Sequence, residues 1–338
     1  MIMKQEKILF DASIFALDGA REHRTGIFFV ALNILKELQN REDVFLWLYF
    51  RPEKIFEGQK ICEELFLRFP FCQKINALGK CLGPVRLSLF SLHRKYYRFF
   101  FVRKFSALGI VAINHLLNLN VGHSQESFCT YGAFISPLDA VPNEIRRHKV
   151  KSFLFLHDAI PLVLDYLGHE RRRLYEKLVD SFLPGDTFFC VSKNTLNDFA
   201  KFSKLINEKN SVVLPLAANK KYVPNLDNDS LLSVKRKYNI PEDKCFVFSL
   251  CAVEPRKNLI RAVASFLTFL EKHKIDDIVW VLGGASWNSF VDILNEKKRN
   301  WDPTQVICAG YVDDDTALNL CLWHTWHHLN EVCDYLTA

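Results

Sequence analysis

The sequence predicts an α/β protein with parallel sheets in two domains, and three observations lead there. Short runs that are apolar throughout recur along the chain, longer segments with apolar residues at helical spacing fall between them, and one polar stretch interrupts the alternation. Strands covered by helices on both faces read as unbroken apolar runs, whereas a half-exposed sheet would alternate apolar and polar residues. The repeated strand-helix order is the pattern of parallel sheets.

Taken in order, residues 7–10 form the first expected strand, and Ile27, Val30, Ala31, Ile34, Leu35 and Leu38 mark one face of the helix that follows. Further strands are expected at 44–50, 153–156, 187–191 and 211–214. The polar stretch from Asn219 through Asp229 is read as the domain boundary, giving domains 1–222 and 223–338. Beyond it, strands are expected at 245–250, 277–282 and 305–309, and Leu259, Val263, Phe266, Leu267 and Leu270 share a helical face.

The 338 residues are 49% hydrophobic and 24% charged, enough apolar content for two packed cores and too much for a disordered chain. The net charge of +6 suits acidic ligands or an anionic surface without singling out nucleic acid, and no nucleic-acid-reading motif is present. Ten cysteines without short paired spacing are expected to be buried free thiols in a reducing cytoplasm. The N-terminus MIMKQEKILF lacks a secretory apolar segment, and no uninterrupted apolar run reaches the roughly 18 residues of a membrane span. A cytoplasmic chain is expected.

Ligands of open α/β sheets bind beyond the carboxyl ends of the strands, which directs attention to the residues following each apolar run. After the first strand, Thr25 and Gly26 open a helix, where glycine permits close backbone approach and free amides suit an anion; an ordinary capped loop is the plainer alternative. His157 and Asp158 follow the strand at 153–156, one able to donate to a sugar hydroxyl or phosphate and the other to accept, against the plainer reading of a structural histidine. Ser192 reads as a helix N-cap. Gly283 and Gly284 suit a nucleotide lying against the backbone, and Asp313 to Asp315 fit a helix start better than a metal site. Arg256 and Lys257 stand where a helix begins, the end at which its dipole disfavours cations. Helix amides and two cations together can hold a diphosphate, Arg with paired donors and Lys as a mobile charge; pairing with Glu254 is the alternative.

Thr25-Gly26, Ser136-Pro137-Leu138 with Pro142, His157-Asp158-Ala159-Ile160-Pro161, Val191-Ser192, Leu214-Pro215-Leu216-Ala217, Glu254-Pro255-Arg256-Lys257-Asn258 and Gly310-Tyr311-Val312 occur in the order of one family. The chain resembles the retaining glycosyltransferases of family 4, from about Ile8 to about Trp323, most specifically in Glu-Pro-Arg-Lys-Asn. The resemblance implies the GT-B arrangement of two Rossmann-like doubly wound domains, and sugar transfer from a nucleotide diphosphate donor to a polysaccharide or glycolipid acceptor with retention of configuration. No metal or cofactor is implied. His157, Arg256 and Lys257 would be catalytic, Gly26, Glu254, Asn258, Gly284 and Val312 donor-binding, and Asp158 on the acceptor side.

Two departures qualify what the resemblance implies. Ile27-Phe28-Phe29 stand where many relatives carry a further glycine or an arginine. After Trp323 the family would continue into a strand and a loop with two glutamates eight positions apart, whereas this chain reads His324-Thr325-Trp326-His327-His328 onward to Ala338. An incomplete second sheet with an uncovered apolar face is therefore expected, from a truncated product, and a non-catalytic remnant or interaction protein is the alternative function. Residues 86–105 interleave cations with aromatics, as a helix on an anionic membrane surface does; a buried aromatic helix with a solvated basic edge is the other reading. Relatives that modify lipid-linked sugars make peripheral attachment at the inner membrane face an expectation.

Overall fold

The computed structural model describes residues 6–16, 26–58, 70, 72, 77–96, 99–119, 128–165, 168–217, 228–251, 255–284, 304–310 and 312. The chain divides into two compact units, Met1–Leu216 and Ala217–Ala338.

The first unit is built on a six-stranded parallel sheet in the order β2-β1-β3-β4-β5-β6. Its strands are β1 (Glu6–Asp11), β2 (Val44–Tyr49), β3 (Ala133–Ser136), β4 (Lys151–Leu156), β5 (Thr187–Cys190) and β6 (Ser211–Val213). Its helices are α1 (Gly26–Gln39), α2 (Ala77–Lys95), α3 (Phe100–Leu119), α4 (Asn143–Arg147), α5 (Ile160–Val163), α6 (His169–Asp180) and α7 (Lys193–Phe202). Successive strand residues point to opposite faces, and both faces are covered. Ile8 and Phe10 of β1 pack with Phe28, Ala31 and Leu35 of α1. Leu9 joins Phe134, Leu154, Ile145 of α4 and Phe199 of α7 on the other side. The outer edge of β2 is partly closed by backbone bonds from Leu48 N to Pro70 O (3.0 Å) and from Cys72 N to Leu48 O (3.0 Å), which occupy a donor and an acceptor that would template another strand.

The second unit holds β7 (Cys245–Leu250), β8 (Ile278–Gly283) and β9 (Val306–Gly310), parallel in that order, with α8 (Asn228–Lys237) and α9 (Leu259–His273). Leu231 and Val234 of α8 pack with Phe246, Val279 and Val281 on one face, and Leu259 and Val263 of α9 with Leu282 and Val306 on the other. Among the described residues, then, each face of the central strand β8 has a helix against it; residues 313–338, on which the expected incomplete sheet rests, lie outside them.

Three expectations are corrected. The central strand β3 was not anticipated. Residues 86–105 are not one helix: α2 ends at Lys95 and α3 begins at Phe100. Of the described cysteines, only Cys72 and Cys190 are buried, and Cys81 and Cys129 are exposed.

Candidate functional site

In the first unit the sheet order turns at β1, with β2 on one side and β3 on the other, so the crevice for a ligand is expected outside the carboxyl ends of β1 and β3. A polar cluster stands there. Asp11, the buried last residue of β1, accepts from the Ser13 amide at 3.0 Å and lies 3.5 Å from Arg51 Nη2. Arg51 in turn lies 3.4 Å from Asp139 Oδ2 and donates to the Ala140 carbonyl at 2.5 Å. Burial pushes the Asp11 carboxyl above its ordinary value while the Arg51 guanidinium opposes the rise. Nearby, the Tyr49 hydroxyl donates to Glu144 at 2.6 Å.

His157 follows β4 and is half-buried. Its Nε2 is 2.7 Å from the Pro137 carbonyl oxygen. A carbonyl only accepts, so Nε2 carries the proton, and Nδ1 of the neutral ring is left as an acceptor. Burial lowers the His157 pKa below its ordinary value, against the opposing pull of the Pro137 hydrogen bond and the Asp158 charge. The sequence suggested that His157 donates to a ligand; the structure gives that donor to Pro137. Asp158 Oδ1 accepts from the Ile160 amide at 3.1 Å and so shapes the start of α5. Ser192 caps α7, its Oγ accepting from the Thr195 amide at 3.0 Å, and Thr195 Oγ1 donates back to the His157 carbonyl at 2.9 Å. These bonds tie the ends of β4 and β5 together around His157.

Gly26 is the exposed first residue of α1, and a Cβ added there would meet no described atom within 4 Å. The described packing therefore does not demand glycine at this position.

In the second unit a turn of 3-10 helix, Pro255–Lys257, leads into α9. Arg256, Lys257 and Asn258 are exposed. Asn258 occupies the N-cap position in the left-handed region (φ 51°) and its side chain caps no amide, while the first turn of α9 holds no acid. The helix thus presents its positive end with two cations directly before it. Gly284, after β8, has φ 135°, and a Cβ there would lie 2.1 Å from the Cys251 carbonyl oxygen just beyond β7. Only glycine fits this approach. The Gly284 amide donates to Gly310 O at 2.7 Å and the Cys251 amide to Gly283 O at 2.9 Å, joining the carboxyl ends of all three strands. Val312, expected to line the nucleotide, is buried with Phe246, Val279 and Val281, so its side chain serves the core.

Thr25, Glu254 and Asp313 to Asp315 lie outside the described residues. Sequence reading missed Asp11, Arg51 and Asp139, although a single acid closing the apolar run KILFD and an arginine just past the second strand were visible signals. Among the described residues, no group of three or more His, Cys, Asp or Glu side chains is placed to hold a metal ion.

No protein-family model matches the sequence, and no curated protein matches it. Several solved structures are similar over most of this chain. They include the Anabaena HepE protein in complex with UDP and glucose, at 13% identity over 94% of this chain and 72% of that one, with a TM-score of 0.49. A glycosyltransferase from Rickettsia africae aligns at 15% identity over 94% and 71%, with a TM-score of 0.48. WaaG, a glycosyltransferase involved in lipopolysaccharide biosynthesis, aligns at 12% identity over 92% and 72%, with a TM-score of 0.47.

Proposed function

We propose that this chain is a glycosyltransferase of the GT-B kind that moves a sugar from a nucleotide diphosphate donor to a saccharide or glycolipid acceptor with retention of configuration. The observation that carries the reading is the entrance to α9, where Arg256 and Lys257 stand exposed before a helix start that Asn258 leaves without a side-chain cap. The donor diphosphate sits on those amides, with the Arg256 guanidinium gripping two oxygens and Lys257 adding a point charge. As the bond between sugar and diphosphate breaks, negative charge grows on the leaving phosphate, and the fixed cations stabilise it more than they stabilise the intact donor. Gly284 keeps the backbone at the carboxyl ends of β7 and β8 free of a side chain. In the first unit, neutral His157 accepts from a hydroxyl through Nδ1, and the Gly26 helix start leaves room for a ligand's approach.

Incubation with labelled UDP- and GDP-sugars and lipid-linked or polysaccharide acceptors tests the reading. Transfer of label is expected, with a product of the donor's anomeric configuration, and His157→Ala should slow turnover while donor affinity changes little. Donor binding without any transfer would favour an interaction protein instead.

A further inference from the structure

The α2–α3 hairpin carries a second kind of surface. Eleven of the twenty-one exposed large apolar side chains among the described residues fall between Val85 and Leu116. On α3, Ser106, Ile113 and Leu117 are buried, whereas Phe101 (72% exposed), Phe105 (70%) and Leu108 (58%) recur at helical spacing on the opposite side and Leu116 continues the row. The helix is thus apolar on both faces, one packed and the other solvent-exposed. Residues 100–117 are long and apolar enough to cross a membrane, yet only 17% of that window is buried. Arg103, Lys104, Ser106, Asn114 and His115 keep this stretch from being an uninterrupted apolar run.

The charge carried by the hairpin's own stretch of chain has one sign. Residues 65–125 contain nine Lys or Arg and no Asp or Glu. Lys104 and Arg103 lie over the Phe100 ring at 5.9 and 5.8 Å, and Lys95 over Tyr96 at 5.4 Å, so cations sit beside the exposed rings. Arg86 does not belong to this surface, a correction to the expected 86–105 patch. It is buried, paired with Glu57 and donating to Asn114 Oδ1 at 2.6 Å, and so ties the hairpin to the chain that follows β2.

We propose that the exposed face of α3, with Lys95 and Lys104, docks this protein in the plane of an anionic lipid surface. Phenylalanines enter the acyl boundary and the cations meet the headgroups. In-plane docking fits better than spanning, because the hairpin leaves from β2 and returns to β3 of one sheet, and α2 contains Lys80, Arg86, Arg94 and Lys95 where a second crossing would be needed. The proposal stands whether or not the chain transfers sugar.

Co-sedimentation of the full chain with phosphatidylcholine vesicles, with and without phosphatidylglycerol, tests it. Binding is expected only with the anionic lipid, falling with added salt and released by alkaline carbonate. Phe101→Ser/Phe105→Ser/Leu108→Ser, at exposed positions, should weaken it by at least about tenfold, and Lys95→Glu/Lys104→Glu by about fivefold or more per site, with circular dichroism unchanged. Failure to sediment, or binding that neither variant alters, overturns the proposal. So does carbonate-resistant insertion, or a dimer that ignores vesicles and is dissolved by the serine substitutions.

Discussion

His157 ties the stability of the fold to pH. Its pKa lies below the ordinary 6.5, burial being the main cause, so the folded protein holds a neutral ring while the unfolded chain takes up a proton. Its contribution is complete above pH 6.5, falls as pH drops below that value and levels off once the folded pKa is passed. The His157→Gln variant should therefore lose less stability than the wild type between neutral and mildly acid pH in urea melts; parallel losses would mean that the ring is not held neutral. Gly284 gives a second test at this scale. Gly284→Ala places a methyl 2.1 Å from a backbone oxygen at φ 135° and should destabilise the second unit by at least about 1–3 kcal/mol. An unchanged melting temperature would show that the approach to Cys251 is looser than described.

At the scale of elements, the buried ion pair beyond β1 and β2 makes the clearest demand. Arg51→Met would leave Asp11 buried beside Asp139 with no cation, at a cost of about 3 kcal/mol or more, read from denaturant midpoints. If the loss is near zero, Asp11 is already neutral in the folded protein, a state its raised pKa favours. The same scale shows what could be read from the sequence. Long apolar runs such as Cys245–Leu250 stood out because parallel strands are buried on both faces. β3 did not, since Ala133–Ser136 is four residues long and too short for a periodic signal, though it lies inside the sheet. The break between α2 and α3 falls among aromatics and cations without Gly or Pro, so nothing local announced it. The placing of His157 after a strand of the first unit, and of Arg256 and Lys257 after a strand of the second, was legible. The direction of the His157 hydrogen bond and the burial of Val312 depend on tertiary contacts with Pro137 and Phe246 and were not.

For the whole molecule, each core is made within one unit: Leu9, Phe134 and Phe199 belong to the first, and Phe246, Val279 and Val263 to the second. Residues 1–216 expressed alone should then fold and melt cooperatively by circular dichroism, whereas a molten chain would mean that the first core depends on the second. In the second unit, the proposed function puts the donor diphosphate at the start of α9, beside Arg256 and Lys257. Calorimetric titration of the full chain with UDP and GDP, beside the Arg256→Ala and Lys257→Ala variants, tests it most directly. The account predicts that the wild type binds at least one of the two and that each variant binds it about tenfold or more weakly, as loss of a charge-assisted hydrogen bond requires. Equal affinity in wild type and variants, or no binding by the wild type, would contradict it.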